Sequence, residues 1–187
     1  MRAFIAIALP EKTREVLGAL QKRLRASNVN ASWPATKNLH LTLRFLGDVE
    51  ESDMGRLGAD LECRLQTCAQ VVLAPLGVGF FPNAKRPSVL WAGLEVRQGD
   101  LEALAHAAEL AVRGIGLPPE TKRFHPHLTL ARIREPHNVA PLIEAAQCEQ
   151  NFQAEPFSVD SIGLYKSELT PRGAIYTCLQ EFGLHGI

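Results

Sequence analysis

The sequence lacks both a net charge and a long apolar run. Its 20 basic residues balance 20 acidic ones, so no global field attracts nucleic acid, and local groups must hold any anionic substrate. The N-terminal stretch MRAFIAIALPEK contains one strand-length apolar run that ends at Pro10, and this run is too short for a signal peptide or a membrane span. We therefore expect a cytoplasmic protein without a membrane segment.

Cysteine is also scarce, and its spacing argues against a zinc-binding module. The four cysteines form no CxxC pair and no other zinc-like spacing, and a cytoplasmic chain keeps its thiols reduced. We expect all four to be small core residues: Cys63, Cys68, Cys148 and Cys178.

One tetrapeptide, HLTL, occurs twice, beginning at His40 and at His127. With six histidines and eight threonines in 187 residues, fewer than one His-x-Thr triplet is expected by chance. The two copies are 87 residues apart, close to half the chain, which is the spacing that a duplication into two similar lobes leaves.

Hydrophobic periodicity predicts the same order of elements in both halves: strand, helix, HLTL strand, helix, strand. In LHLTLRFL the period of two places Leu39, Leu41, Leu43 and Phe45 on one face, opposite His40, Thr42 and Arg44. No low-complexity segment or long linker divides the chain, so we predict one α+β domain over residues 1–187. Its two lobes would correspond to the two halves of the chain.

Two imidazoles on related strands, each with a hydroxyl two residues on, are suited to acid–base catalysis across a shared groove. With an ordinary pKa of about 6.5, one imidazole can be a neutral base while the other is a protonated acid. This chemistry suits in-line displacement at phosphorus, with Thr42 and Thr129 holding the non-bridging oxygens. No cluster of metal-binding carboxylates lies near either motif, and none is needed for this reaction.

Several residues near the motifs are further candidates. Arg132 follows His127 by five residues, where a guanidinium can grip phosphate or stack on a base. Phe4 and Trp91 are also 87 residues apart; we expect them at equivalent places on the first strands, where either is a core residue or a base platform. The remaining basic residues and histidines are predicted to be structural or solvated: Lys122, Arg123, His106 in a helix, His137 in a loop and His185 in the tail.

Two alternatives from other classes stay open. His125 and His127 lie on either side of Pro126 and could begin a zinc site of a metal-dependent hydrolase, although no further ligand appears at a suitable spacing. Alternatively, the chain could be an RNA-end binding module that keeps the groove without turnover. Because both histidines and both threonines are present, the sequence favours an enzyme.

The motifs resemble those of the two-histidine phosphoesterase superfamily, in particular its RNA 2',3'-cyclic phosphodiesterase branch, also called 2'-5' RNA ligase. The resemblance spans nearly the whole chain, through the segments RAFIAIALP, NLHLTLRFLG, FHPHLTLAR and LYKSELTPRGAIY. It implies a bilobal pseudo-twofold fold, with two antiparallel sheets lining a central cleft and helices outside. It also implies an enzyme that needs no metal and, for the hydrolysis, no nucleotide cofactor. We further expect a monomer.

The resemblance further implies hydrolysis of a 2',3'-cyclic phosphate to a 2'-phosphate, together with reversible 2'-5' RNA ligation. His40 corresponds to the acid and His127 to the base that activates water, while Thr42 and Thr129 hold the phosphate. Arg132 contacts the substrate, and Phe4 stacks on the base. The substrate stays open among three classes: RNA that ends in a cyclic phosphate, such as tRNA fragments, a small cyclic nucleotide, and 2'-5' linked oligomers.

Overall fold

The computed structural model describes residues 1–135, 138–171 and 173–185; the loop predicted at His137 lies outside these residues. None of the helices in these ranges is long and apolar enough to cross a membrane. The elements are β1 (Arg2–Ala8), α1 (Glu11–Arg25), β2 (Ala31–Ser32), a 3-10 turn (Thr36–Asn38), β3 (His40–Asp48), a second 3-10 turn (Glu51–Asp53), α2 (Met54–Leu65), β4 (Val71–Phe81), β5 (Val89–Gln98), α3 (Leu101–Gly114), β6 (His127–Ile133), α4 (Ala140–Cys148), β7 (Phe157–Val159), β8 (Ser161–Thr170) and β9 (Gly173–Gly183).

The strands form one curled antiparallel sheet in the order β7-β4-β5-β6-β3-β1-β8-β9, with β2 also paired to β6. The β1 half-sheet consists of β3, β1, β8 and β9, and the β5 half-sheet consists of β6, β5, β4 and β7. Strands β3 and β6 pair through Leu41 and Leu128 alone. The predicted α+β class is therefore confirmed, and the two predicted antiparallel sheets correspond to the two half-sheets, which join at their motif strands.

The prediction that each lobe is one half of the chain is wrong. Strand β4, from the first half, pairs with β5 and β7, whereas β8, from the second half, pairs with β1. A short connection, residues 82–88, joins β4 to β5 as an antiparallel hairpin, so β4 pairs with the strand that follows it rather than with β1. The helices also pack between the two halves of the chain: α1 packs on α4, and α2 packs on α3.

The motif strands are held by the core on one face only. Leu41, Leu128 and Leu130 are fully buried, and Leu39 and Leu43 are nearly so. The predicted alternation fails at Phe45, which is 43% exposed. Register shifts between β1 and β3 interrupt the period of two at this point, because a bulge turns the following side chains to the other face.

Helix α1 contributes a polar anchor to this core. Leu17, Leu20 and Leu24 form its buried stripe, and the nearly buried Gln21 donates from Nε2 to the carbonyl oxygens of Leu130 (2.9 Å) and Pro34 (3.1 Å). Because a buried amide is costly to leave unpaired, these bonds hold β6 and the segment before β3 at a defined distance from the helix.

The prediction that the cysteines are core residues holds for only one of them. Cys68 is buried, whereas Cys63, Cys148 and Cys178 are exposed. The exposed thiols lie at or beside the ends and edges of elements, where a small side chain has no core to join. All four cysteines are free thiols.

Candidate active site

The register of the two motif strands brings the four predicted site residues together. Leu41 pairs with Leu128 in an antiparallel ladder, so the adjoining positions set His40 opposite Thr129 and Thr42 opposite His127. All four side chains lie on the face opposite the buried leucines, and all four are half-buried. Each threonine therefore lies across from the histidine of the other motif.

The two imidazoles are held in the same way. Nδ1 of His40 lies 2.7 Å from the carbonyl oxygen of Asn38, and Nδ1 of His127 lies 2.7 Å from the carbonyl oxygen of His125. A carbonyl oxygen only accepts hydrogen bonds, so Nδ1 carries a proton and donates it. In the neutral form each Nε2 then has a free lone pair, and in the charged form each Nε2 has a proton to give.

Burial lowers the pKa of both histidines below the ordinary value of 6.5. The hydrogen bonds from Nδ1 oppose this effect, while the positive charge of Arg132 lowers both pKa values further. The charge of His127 also lowers the pKa of His40. The free protein therefore favours neutral imidazoles, and each is sensitive to a charge placed between them.

An aromatic cluster surrounds His40. The ring of Phe4 stacks on the imidazole at a centroid distance of 4.8 Å and on Tyr165 at 5.3 Å. Tyr176 meets the rings of both Phe4 and His40 edge-on, at 4.9 and 5.2 Å. Burial raises the pKa of Tyr165 to about 12 and also raises that of Tyr176, so both phenols stay neutral near pH 7.

The structure does not support the expected role of Phe4 as a base platform. Strand β1 lies between β3 and β8, so His40 and Tyr165 flank the Phe4 ring from either side. Only 4% of Phe4 is exposed, which leaves no open ring face for a nucleobase. We therefore assign Phe4 to packing that orients the His40 imidazole.

A second aromatic cluster surrounds His127. Phe81 meets His127 edge-on at 4.9 Å and His125 at 5.2 Å. Trp91 lies 5.2 Å from both Phe81 and His125. Each candidate catalytic imidazole is thus enclosed by rings from its own half-sheet, an apolar setting that accounts for the burial effect on both pKa values.

Trp91 and Phe4 lie on equivalent strands but not at equivalent positions. Trp91 is opposite Thr129, whereas the residue opposite Thr42 is Ala6. The ring of Trp91 packs onto the backbone at Gly79, where a Cβ would lie 2.3 Å from the ring. The equal spacing in sequence was misleading because Thr129 follows its partner Trp91 by 38 residues, whereas Thr42 follows its partner Ala6 by 36. The connection from the first strand to the motif strand is therefore two residues longer in the second half.

Three groups near the imidazoles are available to a substrate. Within the described residues, neither the hydroxyl of Thr42 nor that of Thr129 has a hydrogen-bond partner. Arg132 is exposed and has no carboxylate partner in the same part of the chain. Its charge lowers the pKa of both imidazoles and opposes the rise in the pKa of Tyr176, so it lies near all three groups.

A large cavity of about 1420 Å³, the main cleft, opens beside His127 and Thr42. Arg44 braces one wall: its guanidinium contacts Glu109 at 2.6 Å and donates to the carbonyl oxygen of Pro118 at 2.7 Å. Other lining residues come from α3 and the loop before β6, among them His106, Glu102, Glu120, Lys122, Arg123 and His125. Lys122 and Arg123 are exposed, as predicted, but they lie at the cleft.

His125 lies near His127, at a ring centroid distance of 6.4 Å. Among residues 1–135, 138–171 and 173–185, no group of three or more histidines, cysteines or carboxylates is arranged to hold a metal ion. His185, which was predicted to be structural or solvated, is exposed. It forms an isolated β-bridge with Ala69.

Sequence reasoning missed the rings that enclose the imidazoles: Tyr165, Tyr176 and Phe81. Tyr165 and Tyr176 are far from either motif in sequence. The pairing of β8 with β1 brings Tyr165 to Phe4, and the pairing of β9 with β8 brings Tyr176 to His40. A signal for Phe81 was present, because it ends a strand that a short hairpin connects to the strand before the second motif.

The comparisons with known proteins agree with this geometry. The model of the LigT-like phosphoesterase family matches residues 7–91 and again 94–176, so each match contains one HLTL motif. The RNA 2',3'-cyclic phosphodiesterase of Methanothermobacter thermautotrophicus is 32% identical over 184 residues, which cover 98% of this chain and 99% of the relative. The chain therefore belongs to the LigT-like phosphoesterase family.

Solved structures give the same result. The protein TT0787 of Thermus thermophilus superimposes with a TM-score of 0.81 at 29% identity, covering 100% of this chain and 99% of that one. LigT of E. coli in complex with 3'-AMP superimposes with a TM-score of 0.73 at 28% identity, covering 98% and 97% of the two chains. These likenesses extend over the complete bilobal fold.

Proposed function

We propose that this protein hydrolyses 2',3'-cyclic phosphate ends of RNA to 2'-phosphomonoesters, using His40 and His127 as an acid–base pair. One observation carries the proposal: both imidazoles donate from Nδ1 to a backbone carbonyl, so both have Nε2 free for proton transfer. The family relatives named as RNA 2',3'-cyclic phosphodiesterases support this choice of substrate.

In the proposed reaction, Nε2 of His127 takes a proton from water, and the water oxygen forms a bond to phosphorus. The bond from phosphorus to the 3' oxygen breaks, and Nε2 of His40 gives its proton to that oxygen. Thr42 and Thr129 donate hydrogen bonds to the non-bridging oxygens as negative charge grows on them. Each imidazole ends in the opposite protonation state, and exchange with solvent resets the pair.

The assignment of His127 as the base is supported by its surroundings. His127 lines the main cleft, which is wide enough to admit water, whereas His40 does not line it. The same volume has room for a nucleoside 5' hydroxyl in place of water. Attack by that hydroxyl, with the same departure of the 3' oxygen, would form a 2'-5' phosphodiester, and this ligation is reversible. Monomeric state and cytoplasmic location stay predictions from the sequence.

The deciding experiment incubates the protein, with EDTA present throughout, with a short RNA that ends in a 2',3'-cyclic phosphate. We expect turnover to continue and the product to carry a 2'-phosphate. Loss of activity in EDTA with recovery on adding zinc would favour a metal site at His125 and His127. Tight binding of the RNA without any turnover would favour the RNA-end binding module.

The pH dependence of hydrolysis should be bell-shaped, because one imidazole must be neutral while the other is protonated. Burial lowers both pKa values in the free protein, so both limbs of the kcat/KM profile shift downward and its maximum lies below 6.5. A bound phosphate anion raises imidazole pKa values, so the kcat profile should lie at higher pH. The two apparent pKa values that set these limbs describe the interacting pair and not His40 or His127 singly. A kcat/KM that is constant between about pH 5 and 9 would contradict paired histidine catalysis.

Arg132→Lys should raise KM about tenfold and change kcat less. Lysine keeps the charge but loses the planar fork that binds phosphate through two donors or stacks on a base, and such a contact stabilises ground and transition states alike. Steady-state kinetics on RNA that ends in a cyclic phosphate measures both constants. Arg134→Lys, at an exposed position two residues on, is the matched control. Unchanged constants in Arg132→Lys would assign Arg132 to the solvated surface.

A further inference from the structure

A second, smaller cavity is lined by His40, which does not line the main cleft. This His40 pocket has a volume of about 180 Å³ and is lined by residues from α1, the first 3-10 turn and the aromatic cluster, among them Arg14, Lys37, Asn38, His40, Tyr165 and Tyr176. Asn38 is itself fixed, because its Nδ2 donates to the carbonyl oxygen of Ala174 at 2.7 Å and its own carbonyl accepts from His40.

The charged side chains that line the His40 pocket, Arg14 and Lys37, are both positive. Arg14 is half-buried and Lys37 is exposed, and no acidic side chain is among the described residues that line the pocket. In the described ranges neither Arg14 nor Lys37 has a side-chain hydrogen bond or an ion pair. A half-buried guanidinium without a counter-ion is costly unless an anion neutralises it.

The main cleft differs in this respect. Three glutamates line it, and its most enclosed cation, Arg44, is already paired with Glu109. An anionic part of a substrate therefore meets less competition in the His40 pocket than in the main cleft. The pocket is also well below the roughly 300 Å³ of typical small-molecule sites, so its size suits a phosphate group rather than a complete nucleoside.

We infer that Arg14 and Lys37 bind the phosphate on the 5' side of the terminal nucleotide, so that the enzyme selects 5'-phosphorylated or oligomeric substrates over nucleoside 2',3'-cyclic phosphates. This inference rests on the proposed function, in which His40 protonates the departing 3' oxygen. The ribose that carries this oxygen must lie beside His40. Its 5' carbon bears the next phosphate of an RNA chain, and only a neutral hydroxyl in a cyclic mononucleoside phosphate.

The kinetic test compares adenosine 2',3'-cyclic phosphate with its 5'-phosphorylated form. For the wild-type protein we expect kcat/KM to be at least about tenfold higher for the 5'-phosphorylated substrate, because two cations can donate charge-assisted hydrogen bonds to the added phosphate. In the double variant Arg14→Gln/Lys37→Gln this ratio should fall to near one. Lys37→Gln alone, at an exposed position that does not affect folding, should lower the ratio in part.

Lys22→Gln is the matched control, since it removes a positive charge from the other end of α1 and lies outside the pocket. It should keep the wild-type ratio. A wild-type ratio near one, or a ratio that survives in the double variant, would overturn the inference while leaving the proposed hydrolysis intact.

A binding measurement tests the phosphate subsite even if the proposed hydrolysis does not occur. Adenosine 2',5'-bisphosphate and adenosine 2'-phosphate differ only in the 5'-phosphate, and their titration by calorimetry requires no turnover. We expect the bisphosphate to bind the wild-type protein at least about tenfold more tightly and the double variant with no such preference. If neither cyclic substrate reacts but this preference is present, the phosphate subsite stands and the proposed hydrolysis fails. Equal binding of both ligands by the wild-type protein would refute the subsite.

Discussion

Replacing either His40 or His127 with alanine is expected to lower kcat about a hundredfold or more while leaving the protein folded. In the proposed reaction each imidazole provides one of the two proton transfers through Nε2, since Nδ1 is bound to a carbonyl oxygen. Positioned general acids and bases typically contribute about 10²–10⁴ in rate. The measurement is turnover of RNA that ends in a 2',3'-cyclic phosphate. The two single losses should not add in the double variant, because the residues act as a unit.

The control for this experiment is His185→Ala, which removes an exposed imidazole outside both cavities. Circular dichroism and thermal unfolding should be compared for all variants, since His40 packs on Phe4 and Tyr176. A folded His40 or His127 variant that turns over at the wild-type rate would remove the histidine pair from the mechanism.

Thr42→Val and Thr129→Val should each lower kcat by about 10- to 100-fold. Valine keeps the branched shape that suits a strand, so the change isolates the loss of one hydroxyl. Within the described residues both hydroxyls lack a protein partner, and donors aimed at a developing oxyanion are typically worth about 10²–10³ in kcat. We expect a smaller loss at these two threonines because both positions are half-buried and admit water.

Thr177→Val provides the matched comparison, because Thr177 is an exposed strand threonine on β9 that lines neither cavity. Single-turnover kinetics would show whether the loss in the motif variants lies in the chemical step. If both motif variants kept their full kcat, the threonines would serve the strand structure alone.

Local sequence patterns predicted the helices and the longer strands of this fold, but not the short strand β2. The alternation in LHLTLRFL identified the buried leucines of β3, and the repeat identified β6 as its counterpart. The pattern failed at Phe45 because a bulge depends on how two strands fit together and leaves no mark in a single strand.

The environment of the site was harder to predict because it depends on contacts between distant parts of the chain. Tyr165 reaches Phe4 only through the pairing of β8 with β1, and this pairing decides that Phe4 is covered on both faces. Arg14 and Lys37 lie on separate elements before the first motif, and nothing in their spacing indicates that they share a cavity with His40.

The exchange of strands between the lobes suggests why the two halves are joined in one chain: the two imidazoles can then have different surroundings. A half-length precursor would end in a strand that needs a second copy as its neighbour, as β4 needs β5 in this chain, so two such copies would have to assemble as a symmetric pair. Symmetry would give that pair two identical imidazole environments. Joining the copies in one chain removes this restriction: Arg132 follows His127 by five residues, whereas Phe45 stands at the same distance from His40. The two imidazoles can then have different neighbours, as His40 has Phe4 and Tyr176 and His127 has Phe81.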